Sequence, residues 1–257
     1  MKLTADYHTH TRYSHGKSSV LENAIWAKDQ GLKEIAITDH GFSHPAFGLK
    51  KGKINPLKQD CKKASLITGV KVYTGIESNL TSINGDVDLK PKYYEDFEVF
   101  LVGIHKLIVY KPGSYFNFSF PTLFCSTFNV KPSNALVKRT TKALINAIKK
   151  NPIDMITHVN FCSFCDPVEV VKAAADYGTY IEISAKKEHV TDEQLYLMGQ
   201  TGARFLLSSD AHKFSKVGDV SLAVNKLSKI DFPLEKIDNI DGRLPDFRFK
   251  NFKEKSL

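Results

Sequence analysis

The chain is poor in several features, and each shortage excludes a class of protein. Four cysteines among 257 residues are too few for a disulfide scaffold. No stretch approaches the roughly 18 apolar residues of a membrane span, and residues 1–6 lack the apolar core of a signal peptide. With 42% hydrophobic and 25% charged residues, the composition also excludes a disordered chain, collagen and a coiled coil. We therefore expect a soluble, cytoplasmic protein with a hydrophobic core of its own.

Basic residues exceed acidic residues by 36 to 28, which gives a formal net charge of +8. Such an excess favours anionic partners, but it does not choose among phosphorylated small molecules, nucleic acid and a membrane surface. The densest basic run lies at 50–53 and continues at Lys58, Lys62 and Lys63. Because charge runs most often form a solvated face, we interpret this run as surface.

Short apolar runs alternate with amphipathic segments along the whole chain. Helices have recognisable start signals: a capping box from Ser19 to Glu22, a proline after Asp166, and a Thr191 cap. Repeated strand–helix alternation predicts an α/β fold with a parallel sheet, either open or closed into a barrel. Seven runs have the composition of strands buried on both faces, namely 6–8, 34–38, 70–76, 97–104, 153–157, 179–184 and 203–208.

The segment 110–132 breaks this rhythm. It is rich in phenylalanine, tyrosine and proline and has no clear period. Loops of about 20 residues are uncommon inside a domain and often cover a site. We predict an aromatic insertion loop that either lines the site or serves stability alone.

Nine histidines are the most unusual feature, and seven of them fall at or just after the carboxyl end of a predicted strand. The carboxyl ends of parallel strands meet at one edge of the sheet, where ligands and catalytic groups gather. Imidazoles and carboxylates suit Zn²⁺, Mn²⁺ or Fe, and nine such groups exceed what one ion needs. The pattern thus predicts a multinuclear metal site formed by His8, His10, His15, His40, Glu77, His105, His158, Asp210 and His212.

These residues lie in short motifs with a fixed order: Asp6-Tyr7-His8-Thr9-His10-Thr11, Ser14-His15-Gly16, Thr38-Asp39-His40-Gly41, Gly75-Ile76-Glu77, Gly103-Ile104-His105, His158 and Ser209-Asp210-Ala211-His212. Their order and spacing resemble the polymerase and histidinol phosphatase (PHP) family, and most of all its stand-alone bacterial phosphatase branch. The resemblance extends from about residue 4 to about residue 230. It implies a distorted (βα)₇ barrel with a metal site at the carboxyl ends of the strands, and a single PHP-type phosphoesterase domain over residues 1–257.

The resemblance also implies three divalent metal ions, Zn²⁺ or Mn²⁺, with Fe as a further candidate. The first ion would be held by His8, His10, Glu77 and Asp210, the second by Glu77, His105 and His158, and the third by His15, His40 and His212. The predicted catalytic residues are Glu77, Asp210 and His212. Arg12 and Lys106 lie beside ligands and are predicted to bind substrate; Lys186 and Lys213 could do the same.

Two positions depart from the family pattern. Val159 follows His158 where proline is common, and Ser184 ends the sixth strand where asparagine is common. Both line the rim of the site, so they affect substrate identity more than catalysis. Asp39, beside His40, is expected to orient that imidazole rather than to bind metal.

Clustered divalent ions lower the pKa of bound water and clamp the oxygens of a phosphoryl group. A metal-activated hydroxide that attacks phosphorus at a trinuclear centre needs no serine or cysteine nucleophile. We therefore predict a metal-dependent phosphatase that acts on a small anionic phosphomonoester. The alternatives are a histidinol-phosphate phosphatase, a 3'-5' nuclease or phosphodiesterase, and a non-catalytic metal-binding module. Nucleic acid is the less favoured partner, no membrane partner is expected, and the oligomeric state is open.

Overall fold

The computed structural model describes residues 1–256 and contains a seven-stranded sheet in which all neighbouring strands are parallel. The strands are adjacent in chain order: β1 (Ala5–Thr9), β2 (Glu34–Ile37), β3 (Lys71–Asn79), β4 (Val99–Gly103), β5 (Met155–Ile156), β6 (Tyr180–Ser184) and β7 (Phe205–Ser208). Each strand coincides with one of the seven apolar runs in the sequence. The predicted α/β fold is confirmed.

The sheet curls into a nearly closed barrel because its first and last strands meet. Thr9 forms a parallel bridge with Ala211 just beyond β7, and the His10 amide donates to the Ala211 carbonyl at 2.8 Å. The register of β1 against β2 shifts between Asp6 and Thr9, and β5 has only two residues. These irregularities agree with the predicted distorted (βα)₇ barrel.

Apolar layers on both faces of the sheet hold the barrel together. Inside, the ring of Phe247 meets that of Tyr7 edge-on, with 4.9 Å between centroids, and packs among side chains from the six other strands. Outside, aliphatic residues of the strands pack against the helices. Burial on both faces explains why the strands show no strict alternation of apolar and polar residues.

The helices begin where the sequence signals place them. Ser19 and Glu22 form the reciprocal capping box, and the side chains of Asp166 and Thr191 cap their helices. None of the helices in residues 1–256 combines the length and apolarity needed to cross a membrane. They are α1 (Val20–Asp29), α2 (Ile54–Thr68), α3 (Phe120–Phe128), α4 (Asn134–Lys150), α5 (Pro167–Tyr177), α6 (Asp192–Gly199), α7 (Ser221–Leu227) and α8 (Arg248–Ser256).

The aromatic segment 110–132 is mostly helical, which corrects the predicted insertion loop. It contains a 3₁₀ turn at Pro112–Ser114, a π-helical turn at Tyr115–Ser119 and then α3. Pro112 and Pro121 stand in first helical turns, where a missing amide costs little, and only Pro132 lies in the irregular stretch between α3 and α4. A helical spacing of four residues is visible in the side chains that face solvent: Phe116, Phe120, Phe124 and Phe128.

The chain after Asp231 packs on the barrel. The Asn239 side chain donates to the carbonyls of Ala5 and Leu207, at 2.8 and 2.6 Å. Ala5 belongs to β1 and Leu207 to β7, so this segment seals the seam between the first and last strands.

Asp154, immediately before β5, ties α8 to the sheet. Its buried carboxylate accepts the backbone amides of Phe100 at 2.8 Å and Phe249 at 2.7 Å. We expect Asp154→Ala to lower the free energy of unfolding by about 2–4 kcal/mol, because two buried amides lose their acceptor. Chemical denaturation measures the loss. The matched control Asp246→Ala, at an exposed position near α8, should change it by less than about 0.5 kcal/mol; equal losses would contradict the assignment.

This loss should also depend on pH. Burial raises the pKa of Asp154 to about 7, so the folded chain holds the proton more tightly than the unfolded chain does. The contribution of the carboxyl to stability therefore falls as the pH rises through that value. The gap in free energy of unfolding between the natural chain and Asp154→Ala should be wider at about pH 5 than at about pH 8. A gap of constant size would show that the carboxyl does not titrate in this window.

Candidate metal centre

Eight of the nine predicted ligands converge at the carboxyl ends of the strands. They come from β1 and β3 and from the segments that follow β1, β2, β4, β5 and β7. Their ligand atoms form overlapping groups of three within 4.8 Å of one another. The groups are His10–His40–His212, His8–His10–Asp210, His8–Glu77–His158 and His40–Glu77–His105.

The carboxylate of Glu77 lies at the centre of this cluster. Its Oε1 is 2.7 Å from Nε2 of His158 and 3.3 Å from Nε2 of His8. Its Oε2 is 2.9 Å from Nδ1 of His40 and 3.3 Å from Nε2 of His105. One buried carboxylate thus lies within 3.3 Å of four imidazoles, and a fifth, that of His10, is 3.7 Å from Oε2, as expected of a ligand shared between metal ions.

Asp210 is the second carboxylate of the cluster. Its Oδ1 is 3.1 Å from Nε2 of His10 and 3.7 Å from Nε2 of His8. The backbone of Asp210 has a φ of 48° and that of His158 a φ of 27°, a region that residues with a side chain seldom adopt. Such conformations persist where the surrounding structure holds them, and they concentrate at functional sites.

The side chains of the cluster fit divalent cations better than they fit one another. His40 Nδ1 and Glu77 Oε2 are in close contact, yet neither atom has a hydrogen bond. Buried polar atoms normally have partners, so their lack of partners here indicates that cations belong between them. Imidazole nitrogens and carboxylate oxygens are also a donor set for first-row divalent ions. The buried atoms without a partner among the described residues include His10 Nδ1, His40 Nδ1, Glu77 Oε2, His158 Nδ1 and Asp210 Oδ1.

Electrostatic interactions keep both carboxylates ionised. Burial alone would raise the pKa of Glu77, but the surrounding histidines, His105 foremost, outweigh burial and hold that pKa well below its ordinary value. Burial likewise opposes the charge of Asp210, and His8 and His10 outweigh it, so this pKa is also well below its ordinary value. Both carboxylates are therefore in the form that binds cations.

Three imidazoles of the site are held in the neutral form. Burial, followed by repulsion from His40 and His212, lowers the pKa of His10 well below its ordinary value. Burial is also the main reason why the pKa of His15 falls to about 3 and that of His212 to about 4. A neutral imidazole is the form that binds a metal ion, so these side chains need to release no proton.

His8 behaves differently. Burial opposes its charge, but the carboxylates of Glu77, Glu182 and Asp210 outweigh burial and raise the pKa of His8 well above its ordinary value. A metal ion that binds His8 must therefore displace a proton from it.

His15 lies at the rim of the cluster. It belongs to none of the donor groups found in residues 1–256. The group that contains His40 and His212, the other two predicted ligands of the third ion, is completed by His10. The ring of His15 is partly covered and partly accessible to solvent; it lies 4.8 Å from the ring of His40 and 4.3 Å from that of His212, measured between centroids. Its role as a ligand of the third ion stays a prediction.

The two cations predicted to bind substrate have other partners. Arg12 is exposed and lies 3.3 Å from the carboxylate of Glu22. The ammonium of Lys106 lies 3.5 Å from the Ser126 carbonyl. Their roles in substrate binding stay predictions.

Lys186 contacts the cluster directly. Its ammonium is 3.0 Å from Oδ2 of Asp210 and 3.1 Å from Nδ1 of His212. From the sequence, Arg12 and Lys106 are the favoured cations, and Lys186 is only a further possibility. Which one reaches the site depends on the path of each loop, and the sequence pattern does not specify that path.

Two buried residues outside the predicted ligand set orient the imidazoles. Oε1 of Glu182 lies 2.7 Å from Nδ1 of His8, and its Oε2 accepts the His158 amide at 2.5 Å. Oδ1 of Asn79 lies 2.8 Å from Nδ1 of His105. In both His8 and His105, Nδ1 contacts the orienting residue and Nε2 points toward the cluster. This is the usual arrangement of a metal-binding histidine. Asn79 could have been found from the alternation of side chains along β3, because it stands two residues after Glu77 and therefore lies on the same face of the strand.

Asp39 holds the segment after β1 instead of the imidazole of His40, contrary to expectation. Its carboxylate accepts the Thr11 amide at 2.7 Å, the Thr11 hydroxyl at 2.5 Å and the Ser14 hydroxyl at 2.5 Å. It thereby fixes the backbone that leads to His15.

We expect Glu182→Gln to weaken metal binding about 10- to 100-fold, because an amide holds the His8 imidazole less firmly than a carboxylate does. Competition with a chromophoric chelator measures this affinity. Glu193→Gln, on the exposed surface of α6, is the matched control and should bind metal as the natural chain does. Unchanged affinity in Glu182→Gln would show that this carboxylate does not support the ligand.

The fold and the site define a class of protein. A parallel barrel that gathers imidazoles and carboxylates at the carboxyl ends of its strands has the architecture of a barrel metallohydrolase.

Comparison with known proteins identifies the family within this class. The PHP domain profile matches residues 6–216, so the chain belongs to the PHP family, as its motifs indicated. It is 29% identical over 254 residues to a probable phosphatase of Shewanella halifaxensis, covering 93% of this chain and 89% of that protein. It is 30% identical over 254 residues to a probable phosphatase of Caldanaerobacter subterraneus subsp. tengcongensis, with 93% and 88% covered. The predicted enzyme class, a metal-dependent phosphatase, is confirmed by this family and these relatives.

A solved structure supports the fold. Histidinol phosphate phosphatase from Lactococcus lactis, crystallised with zinc, L-histidinol and phosphate, matches 97% of this chain and 98% of its own chain, with a TM-score of 0.63 and 14% sequence identity. At 14% identity, the likeness shows only that the two proteins share the barrel fold.

Proposed function

We propose that the protein hydrolyses small phosphomonoesters with divalent metal ions held around Glu77, in one PHP-type domain over residues 1–257. The observation that carries the proposal is the shared carboxylate of Glu77, which contacts four imidazoles within 3.3 Å. A buried ionised group of this kind is costly unless it is paired or coordinates metal. Relatives that are named phosphatases supply the reaction class.

The proposed centre holds three ions, Zn²⁺ or Mn²⁺ with Fe as a further candidate. The proposed ligand sets are His8, His10, Glu77 and Asp210; Glu77, His105 and His158; and His15, His40 and His212. In the structure, Glu77 also groups with His8 and with His40, which supports its role as the bridge. The donor atoms suit these ions, and the Lactococcus lactis protein contains zinc.

The residues of the chain prepare the site for an anionic ester. Bound divalent ions would supply Lewis acidity and lower the pKa of water, which is the chemistry that hydrolysis needs in the absence of a protein nucleophile. Glu77 and Asp210 stay ionised, and His212 is neutral at physiological pH because burial lowers its pKa to about 4. Lys186 places a positive charge beside Asp210, where it can contact a phosphate oxygen. We assign catalytic roles to Glu77, Asp210 and His212.

A histidinol-phosphate phosphatase is the second candidate. The observation in its favour is the Lactococcus lactis structure, which contains L-histidinol and phosphate. Its assay is the release of phosphate from L-histidinol phosphate, measured beside a series of other small monoesters.

The test of the proposed function is a paired measurement. The protein is purified without chelator, bound metal is counted by elemental analysis, and p-nitrophenyl phosphate is assayed with and without added Mn²⁺ or Zn²⁺. The control is the double variant His10→Ala with Glu77→Ala. We expect about two to three ions per chain and turnover that vanishes in the double variant. Bound metal without turnover of monoesters would redirect the assignment to a phosphodiesterase or nuclease, assayed with oligonucleotides. A chain without metal would overturn the proposal.

A further inference from the structure

A cavity of about 340 Å³ adjoins the metal cluster. Its wall includes Asp210 and His212, so the cavity and the cluster share two side chains. Four lysines also line it: Lys17, Lys186, Lys213 and Lys216. They belong to the segments after β1, β6 and β7, which are neighbours around the barrel and open at its functional end.

The positive charge of this lysine cavity exceeds what its acidic residues neutralise. Lys216 pairs with Asp219 at 2.7 Å, and Lys186 pairs with Asp210 at 3.0 Å. Lys17 and Lys213 are exposed, and neither has a carboxylate within 4.0 Å among residues 1–256. Two ammonium groups are therefore available to an anion.

The backbone around these two lysines is fixed. The amide of Lys17 donates to the His212 carbonyl at 2.7 Å, which joins the segment after β1 to the segment after β7. The Phe214 amide, two residues after His212, donates at 2.6 Å to the hydroxyl of Ser18, one residue after Lys17. Lys17 and Lys213 thus stand on walls that the fold holds together, so an anion there would need little rearrangement of the backbone.

We infer that the lysine cavity binds a second anionic group of the substrate, a phosphate or a carboxylate, while the scissile phosphate lies at the metal cluster. This inference rests on the proposed function. Because the cluster and the cavity share Asp210 and His212, a molecule bound at the cluster can extend directly into the cavity. The substrate class is accordingly a phosphomonoester with a second anionic group, such as a bisphosphate or a phosphorylated carboxylic acid.

The same charges disfavour the second candidate substrate. L-histidinol phosphate carries an ammonium group on the part of the molecule that would extend away from the scissile phosphate. Lysines around that position repel a cation and attract an anion, and such repulsion is an effective source of specificity.

Calorimetric binding to the metal-loaded protein tests the inference without relying on turnover. The probes are three phosphonates of similar length that cannot be hydrolysed: propylphosphonate, 3-phosphonopropionate and propane-1,3-bisphosphonate. We expect the two probes with a second anion to bind on the order of tenfold more tightly than propylphosphonate. The ranking of those two probes distinguishes a carboxylate from a phosphate as the second group.

Two double variants locate the effect. Lys17→Ala with Lys213→Ala should reduce the preference for the probes with a second anion to about onefold. Lys62→Ala with Lys63→Ala, on the exposed surface of α2, removes the same charge elsewhere, and this control should keep the preference of the natural chain. Equal affinities for the three probes, no binding of any probe, or a preference that survives in Lys17→Ala with Lys213→Ala would overturn the inference. Failure of the proposed function has a different signature, which is the absence of p-nitrophenyl phosphate turnover in the natural chain.

Discussion

The variant Glu77→Gln should lose nearly all phosphatase activity, with kcat/KM for p-nitrophenyl phosphate falling at least about 10³-fold. Both oxygens of Glu77 face the cluster, and its carboxylate lies within 3.3 Å of four imidazoles. An amide has the same shape but no charge and only one oxygen. It therefore weakens two neighbouring ion sites at once, and elemental analysis should find fewer ions per chain than in the natural protein.

Two further variants make this result specific. Glu169→Gln, on the exposed surface of α5, should retain full activity and metal content. Glu182→Gln should regain activity when metal is added in excess, because its direct donors are intact, whereas Glu77→Gln should not. Full metal content together with more than about a tenth of the natural activity in Glu77→Gln would refute the shared-ligand assignment.

The metal cluster could be predicted because each ligand is tied to a strand. The position of a residue at the carboxyl end of a parallel strand is set by that strand, and the seven adjacent strands bring such residues to one end of the barrel. Eight of the predicted ligands are therefore together in the structure, although they come from six of the seven strand ends. Ser184 was expected at the rim, but nothing in the sequence showed that Glu182, two residues earlier on β6, faces His8.

The remaining features depend on loop geometry, which periodicity does not encode. Asp210 and His158 adopt positive φ, and these backbone turns decide which donor atoms meet. Lys186 contacts Asp210, whereas Arg12 and Lys106 have other partners, and the paths of the loops after the strands decide this. The helical form of 110–132 was missed for a related reason: its repeating phenylalanines face solvent, so the segment lacks the amphipathic pattern of a helix packed on a core.

Removal of metal should abolish activity and also lower the thermal midpoint of unfolding, by on the order of 10 °C. An ion present at a thousandfold excess over its dissociation constant stabilises the folded state by about 4 kcal/mol, and each kcal/mol shifts the midpoint by about 2–4 °C in a chain of this size. In the metal-free chain, the cluster keeps two ionised carboxylates and several buried atoms without partners. The stabilisation by metal should therefore be large.

Thermal denaturation of the natural chain before chelation, after chelation and after addition of Zn²⁺ or Mn²⁺ measures this effect, with phosphatase activity assayed in parallel. Glu77→Gln is the internal control, because a chain that has lost its shared ligand should respond to the chelator much less. Because His8 must release a proton to bind metal, recovery at a limiting metal concentration should improve as the pH rises toward the raised pKa of that imidazole. A chelated chain with an unchanged midpoint and undiminished turnover would mean that the histidines and carboxylates of this barrel serve a purpose other than metal binding.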